Sequence, residues 1–147
     1  MSKGVEVETS ERHGRRYAST GSPWEPIVGY SRAVRTGQTI TVTGTVGLGP
    51  DRKFAAGAAG AAAQARRALE IIQAAIEALG GKLTDVVRTR IFITDISQWE
   101  AVGRVHGEVF GAIRPATTMV QVAKLIDDAA LVEIEADAIV LHGAGSL

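Results

Sequence analysis

The sequence contains no cysteine, no excess of either charge and no long apolar run. Without cysteine there is no disulfide, iron–sulfur cluster, thiolate zinc site or thiol nucleophile. The 16 basic residues are balanced by 16 acidic ones, so the chain lacks the basic field that favours a nucleic-acid partner. No apolar stretch approaches the roughly 20 residues of a membrane span, and the N-terminal segment lacks the apolar core of a signal peptide. We therefore expect a cytoplasmic protein that binds neither membrane nor nucleic acid.

The length and composition predict a single globular domain. Hydrophobic residues make up 46% of the 147 residues, which is enough to build a core and is untypical of disorder. Residues 1–14 are polar and aperiodic, so we expect a flexible N-terminus. The predicted domain spans residues 15–142, and residues 143–147 form a C-terminal tail.

Hydrophobic periodicity predicts an α+β domain in the order β-β-β-α-β-α-β-β. Residues spaced three and four apart mark the helices, and alternation over short β-branched runs marks the strands. The predicted helices span 58–79 and 98–110; the predicted strands span 15–20, 30–35, 39–43 and 86–94, with two more within 114–140. Two amphipathic helices cover only one face of such a sheet, yet the last strands carry apolar side chains on both faces. The uncovered apolar surface predicts association with further copies of the chain.

Three carboxylates in the last strand need an explanation. Glu133, Glu135 and Asp137 alternate with apolar residues, so they share one face of that strand. One explanation is a solvent-exposed face whose acids pair with Arg88 and Arg90 on a neighbouring strand. The other is that Glu133, near the start of the strand, enters a ligand pocket. Positions two apart on a strand are roughly 6.5–7 Å apart, so these acids do not converge on a metal ion, and no metal site is predicted.

Neither the glycines nor the histidines indicate a catalytic site. Gly44, Gly47 and Gly49 are not in the G-x-G-x-x-G order of dinucleotide-binding loops, and they favour close approach of the backbone to a ligand or to another strand. His13 and His142 lie near the chain ends and are expected in solvent. His106 is expected at a surface or an interface rather than in catalysis.

Three segments together resemble the RidA/YjgF family, which is also labelled endoribonuclease L-PSP. They are residues 29–47 (GYSRAVRTGQTITVTGTVG), 63–102 and 115–140 (PATTMVQVAKL, then ALVEIEADAIV). The resemblance implies a chorismate-mutase-like α+β fold with one mixed sheet and two helices on one face. It also implies a homotrimer with small pockets between subunits, and hydrolysis of reactive imines or enamines without a cofactor.

The resemblance also implies roles for particular residues. The family's tyrosine falls on Tyr30, its usual serine on Thr43 before Gly44, and its water-activating glutamate on Glu133. The arginine that holds the substrate carboxylate in the family motif P-A-R-S falls on Thr117. Because a neutral hydroxyl cannot form a bidentate charged pair, the substrate is left open, with Arg114 as an alternative carboxylate ligand. Met119 completes the expected substrate-binding set.

Two functions therefore remain open. The first is a hydrolase for a small imine, enamine or related C=N compound, with Glu133 as general base and Tyr30, Thr43 and Thr117 positioning the substrate. The second is a non-catalytic trimer that binds a metabolite or a protein. A ribonuclease is disfavoured, because no pair of acid–base histidines and no cationic surface is evident.

Overall fold

The computed structural model describes residues 4–141. The chain forms seven strands and three α-helices. In order they are β1 (Glu8–Arg12), β2 (Arg15–Ser19), α1 (Glu25–Val28), β3 (Ala33–Thr36), β4 (Thr39–Val46), α2 (Gly60–Ala78), β5 (Val86–Ile93), α3 (Trp99–Phe110), β6 (Ala116–Gln121) and β7 (Val132–Ile139).

All seven strands form one mixed sheet in the order β1-β2-β3-β4-β7-β5-β6. The β5–β6 pair is parallel and is joined through α3, as a parallel connection requires. The other pairs are antiparallel. Helices α2 and α3 pack on one side of the sheet, with α2 over β4 and β7 and α3 beside α2. The predicted α+β class, with two main helices on a mixed sheet, is confirmed.

The core lies between the sheet and α2. The predicted apolar stripe of that helix is buried: Leu69, Ile72 and Ile76 are at most 2% exposed. Alternate residues of β7, including Ile134, face the same core. Burial of this stripe stabilises a helix that contains Gly60 and no side-chain cap at its start. Within residues 4–141, no helix combines the length and hydropathy needed to cross a bilayer.

The N-terminal region differs from the sequence prediction. Within the segment expected to be flexible, Glu8–Arg12 forms a strand that pairs antiparallel with Arg15–Ser19. The connecting turn places His13 and Gly14 at φ angles of 54° and 72°. All five residues of β1 are exposed, so the strand has no apolar alternation by which the sequence could reveal it. Helix α1, in the proline-containing loop, was likewise not predicted; it ends at Gly29, whose φ of 86° is left-handed.

Other predictions fail at single residues. Alternation along β5 predicts that Val87 shares a face with Ile91, but Val87 is 44% exposed, because the register shifts between Val86 and Arg88. Helical periodicity predicts that Trp99 lies on the apolar side of α3 with Val102, but Trp99 is 57% exposed. The last two strands follow each other in sequence but are not neighbours, since β5 lies between them.

A buried glutamine ties two loops to α2. Gln64 is fully buried, and its amide nitrogen donates to the carbonyls of Ala55 and Ala129, at 2.8 and 2.9 Å. Its amide oxygen accepts from the backbone N–H of Leu131 at 2.7 Å. Three backbone groups of the loops before α2 and before β7 therefore depend on this one side chain.

We expect Gln64→Leu to lower the free energy of unfolding by about 1–3 kcal/mol, because it removes the partner of three backbone groups in part-buried hydrogen bonds. Chemical denaturation measures the change. Gln73→Leu on the same helix is the control; it removes one exposed contact with Glu77 and should change the stability by no more than about 0.5 kcal/mol. Equal losses in both variants would contradict this account.

Candidate active site

The face of the sheet away from α2 and α3, here called the open face, carries the three acids of β7. Alternation places Glu133, Glu135 and Asp137 on this face, while Val132 and Ile134 are buried on the other. The register sets Glu133 opposite Val46 of β4 and Phe92 of β5.

These acids do not share one environment. Arg90 of β5 bonds Glu135 at 2.9 Å and approaches Asp137 at 3.5 Å, as predicted from the sequence for Arg90. Among residues 4–141, the predicted pairing of Arg88 with these acids is not observed. Glu133 forms no hydrogen bond or ion pair with any other residue in the range 4–141. The solvent-face explanation therefore holds for two of the acids, and Glu133 is distinct from both.

The backbone of β4 makes room for the Glu133 side chain. The β4–β7 register shifts between Val42 and Thr45, at a β-bulge that contains Gly44. A Cβ atom at position 44 would lie 2.0 Å from Oε2 of Glu133, so the carboxylate rests directly on the glycine. The expectation that these glycines permit close approach also holds for Gly47, where a Cβ would lie 2.1 Å from the Gln64 carbonyl oxygen.

The environment of Glu133 favours its protonated form relative to a glutamate in solvent. Burial raises the pKa of the Glu133 carboxyl, and the positive charge of Arg32 opposes that rise. The negative charge of Glu135 raises the pKa further. A half-buried carboxylate with a raised pKa is suited to accept a proton from water near neutral pH.

Tyr30 and Thr43 line one cleft, and Glu133 is not among its lining residues. The cleft has a volume of about 620 Å³. Thr43 lies next to Gly44, so the cleft adjoins the glycine on which Glu133 rests. The residues lining the cleft are Arg12, Tyr17, Glu25, Gly29, Tyr30, Ser31, Val34, Thr41 and Thr43.

Arg32 is a site residue that the sequence reasoning missed. It is 4% exposed, and its Nη1 donates to the Gly44 carbonyl at 2.8 Å. Its Nη2 lies 3.5 Å from the Tyr30 hydroxyl and 3.9 Å from the carboxylate of the buried Glu25. No local pattern marks this arginine, because its partners come from separate segments of the chain.

Thr117 lies elsewhere in the chain. In the parallel register it is opposite Thr89, and the two hydroxyl oxygens are 2.8 Å apart. Thr89 is fully buried on the helix-covered face, so Thr117 points to the opposite side of the sheet from Glu133. Strand β6 is also two strands away from β7, roughly 10 Å at normal strand spacing. One chain therefore does not bring Thr117 and Glu133 into one pocket.

Met119 and Arg114 belong to the same edge of the molecule. Met119 is opposite Ile91 and packs against the core. Arg114 is exposed, has a φ of 58°, and donates its backbone N–H to the Phe110 carbonyl at 2.7 Å. Its place before β6 puts it near Thr117 in sequence, on the far side of β5 from Glu133.

His106, which the sequence places at a surface or an interface, lies between α3 and the sheet. It is half-buried, its Nε2 lies 2.8 Å from the Thr89 hydroxyl oxygen, and its ring centroid is 4.7 Å from that of Phe110. Burial lowers the pKa of the imidazole, which favours the neutral form. Thr117 thus faces neutral groups. His142, the other histidine near a chain end, lies outside the described residues. Across residues 4–141, no three acidic or histidine side chains are grouped so that they could hold a metal ion.

Comparison with known proteins identifies the fold. A solved structure of a Mycobacterium tuberculosis protein of the YjgF/YER057c/UK114 family is 52% identical, with a TM-score of 0.77 over 86% of this chain and 99% of that chain. A structure of Escherichia coli TdcF with bound serine is 29% identical, with a TM-score of 0.68 over 75% of this chain and 87% of that chain. These likenesses confirm the predicted chorismate-mutase-like fold.

Sequence comparison agrees. Human 2-iminobutanoate/2-iminopropanoate deaminase is 33% identical over 126 residues, which cover 85% of this chain and 90% of the human protein. The family model described as endoribonuclease L-PSP matches residues 20–140. The chain therefore belongs to the endoribonuclease L-PSP family, the RidA/YjgF family that its sequence resembles.

Proposed function

We propose that the protein hydrolyses a small imine or enamine, with Glu133 as the general base. Water adds to the imine carbon while the Glu133 carboxylate takes one of its protons. Glu133 returns this proton to the nitrogen, which gives a neutral carbinolamine. The C–N bond then breaks as Glu133 takes the hydroxyl proton and passes it to the nitrogen, so that the carbonyl forms and ammonia leaves. The products are a carbonyl compound and ammonia, and the reaction needs no cofactor. Relatives of this chain include deaminases named for 2-iminobutanoate and 2-iminopropanoate.

The state of Glu133 carries this proposal. Of the three acids on the open face, it has no hydrogen-bonding or ion-pair partner among residues 4–141, and burial raises its pKa. Glu135 and Asp137 form ion pairs with Arg90, so their charges contribute to pairing between strands β7 and β5. An unpaired half-buried carboxylate against a glycine backbone has lone pairs free for a water molecule. A residue with a purely structural role would more often be paired.

The substrate-binding part of the proposal requires a second copy of the chain. Glu133 and Thr117 lie on opposite faces of one sheet, so a pocket containing both must use β6 of a neighbouring subunit. The open face has the surface for such contact, since it exposes the apolar side chains of Val120 and Ile139. We propose a homotrimer with the substrate in clefts between subunits, bounded by Glu133, Tyr30 and Thr43 of one chain and Thr117 of the next.

The neutral surroundings of Thr117 bear on the substrate class. Its hydroxyl contacts Thr89, and the adjacent His106 is favoured in its neutral form. This cluster can hydrogen-bond a polar group but does not supply the positive charge that holds a carboxylate. We propose a C=N substrate whose binding does not depend on a carboxylate clamp. The same observation favours the second candidate, a non-catalytic member that binds an uncharged metabolite.

Substitution of Glu133 tests the general base. We expect Glu133→Ala and Glu133→Gln to lower kcat for imine hydrolysis by about 100- to 10,000-fold, the usual contribution of a positioned base. The assay follows keto-acid release from 2-iminobutanoate produced by a coupled threonine dehydratase. Asp137→Asn, on the same strand face, is the control and should stay within about fivefold of the unsubstituted protein, as expected for a partly exposed ion pair. A Glu133→Ala protein with full activity would refute the mechanism.

The pH dependence of the reaction follows from the pKa of Glu133. Because the base must be ionised and burial raises its pKa, kcat should fall on acidification with a midpoint above the ordinary glutamate value of about 4.3. Removing the negative charge of Glu135 should move that midpoint to lower pH. Rate profiles of the unsubstituted protein and of Glu135→Gln measure both effects. A midpoint at or below the ordinary value, or an upward shift in the variant, would contradict the assignment.

An arginine at position 117 tests the substrate class and the shared pocket. We expect Thr117→Arg to lower KM for 2-iminobutanoate by about 10- to 100-fold, the equivalent of 1.5–3 kcal/mol from a charged hydrogen bond. Thr118→Arg is the matched control, because the neighbouring side chain lies on the opposite face of β6. Equal effects of both variants, or none, would refute the proposed placement of Thr117. If the unsubstituted protein is inactive and only Thr117→Arg hydrolyses the imine, the second candidate, a non-catalytic metabolite-binding protein, is favoured.

A further inference from the structure

The buried Arg32 lies where three parts of the candidate site meet. It follows the loop that carries Tyr30, it precedes β3, and it contacts the bulge of β4. At 4% exposure, the side chain is almost wholly removed from solvent. A buried charge is costly unless each of its polar groups is satisfied. The contacts of the Arg32 guanidinium therefore identify the parts of the chain that this side chain holds together.

All five N–H donors of the guanidinium face protein oxygens. Nε donates to the Thr20 hydroxyl at 3.2 Å, and Nη1 to the Gly44 carbonyl at 2.8 Å and the Thr45 hydroxyl at 3.2 Å. Nη2 faces the Tyr30 hydroxyl and the Glu25 carboxylate, at 3.5 and 3.9 Å. At 4% exposure, the guanidinium presents little surface to a substrate carboxylate. Arg32 is therefore not a hidden replacement for the arginine that Thr117 displaces.

Glu25 lies beside the Arg32 guanidinium and is itself held by hydrogen bonds. It is 8% exposed, and its two carboxylate oxygens accept from the Ser19 hydroxyl at 2.8 Å and the Ser22 backbone N–H at 2.9 Å. These bonds join the end of β2 to the first turn of α1. The pair thus links α1, and the Tyr30 that follows it, to the bulge of β4.

We propose that Arg32, which is held by Glu25, is a positioning residue for this site. It fixes the Gly44 bulge, on which the Glu133 carboxylate rests, and it also fixes the Tyr30 hydroxyl. The chain of contacts is short, because the Gly44 carbonyl bonded by Arg32 belongs to the residue that touches Glu133. A shift of the bulge moves the surface under the carboxylate, and a misplacement of about 1 Å can reduce a rate by about 100-fold.

The positive charge of Arg32 also acts on Glu133, where it lowers the pKa of the carboxyl against the effect of burial. The other charged groups around this carboxylate are Glu135 on its own strand and Arg90 of β5, which is bonded to Glu135. The direct neighbours of Glu133 across β4 and β5 are the uncharged Val46 and Phe92. Loss of the Arg32 charge should therefore raise the pKa of Glu133 further, whereas loss of hydrogen-bond geometry alone should not.

The inference rests on the proposed role of Glu133, so its test uses readouts that do not require activity. The Glu133 carboxyl is titrated by carbon NMR in protein labelled at glutamate, with the signal assigned by its absence in Glu133→Gln. The amide signal of Gly44 reports on the bulge. The variants are Arg32→Met, which is neutral, and Arg32→Lys, which keeps the charge but loses the planar fork. Arg32→Gln replaces the methionine variant if that protein does not fold.

We expect the Glu133 midpoint to move to higher pH in Arg32→Met or Arg32→Gln and to remain near its original value in Arg32→Lys. The Gly44 amide signal should move in all three, and kcat should fall by about 10- to 100-fold in Arg32→Lys. Arg35→Met is the control; that arginine lies on β3 and bonds the Leu79 carbonyl at the end of α2, so neither the midpoint nor the Gly44 signal should change.

Two results would overturn the inference: an unchanged Glu133 midpoint in the folded neutral variant, or a Gly44 signal that Arg32→Lys leaves in place. A shift of the same size in Arg35→Met would do so as well. If the unsubstituted protein hydrolyses no imine while the midpoint and the Gly44 signal respond as expected, the proposed function fails and the positioning role of Arg32 stands.

Discussion

The covering of one face of the sheet by α2 and α3 is the constraint on which the rest of the structure depends. Side chains alternate along a strand, so helices on one side divide every strand into a buried set and an open set. On β7 this division buries Ile134 and leaves Glu133 on the open face. On β6 it turns Thr117 toward the helices. The separation of the candidate base from the candidate substrate-binding residue follows from this geometry.

The open face is organised by charge. Arg90 pairs with two of its acids, and the buried Glu25–Arg32 pair supports the bulge beneath the third. Glutamate 133 is left without a direct partner among residues 4–141, in a position where burial and Arg32 act on its pKa in opposite directions. An ionisable group balanced in this way responds to small changes nearby, which is a common property of catalytic carboxylates.

The sequence predicts those features that repeat along the chain. The apolar stripe of α2 and the alternation of β7 predict these elements to within a few residues, and the alternation of side chains along a strand correctly predicts that Thr117 and Met119 share one face of β6. It could not predict β1, whose residues are all exposed. Nor could it predict the contact of Glu133 with Gly44 or the burial of Arg32, because these depend on pairing between distant segments. The family resemblance supplied candidate residues. Only the strand register shows that Glu133 and Thr117 lie on opposite faces of the sheet.

The two edge strands of the sheet differ in charge. Strand β1, with the sequence ETSER, has charged side chains and exposes every residue, a composition that discourages pairing with a further strand. Strand β6, with the sequence ATTMVQ, forms the opposite edge and carries no charge. Copies of the chain that met edge to edge could not add indefinitely, because one end of each sheet resists extension. Such asymmetry discourages open-ended growth of the sheet through the β1 edge.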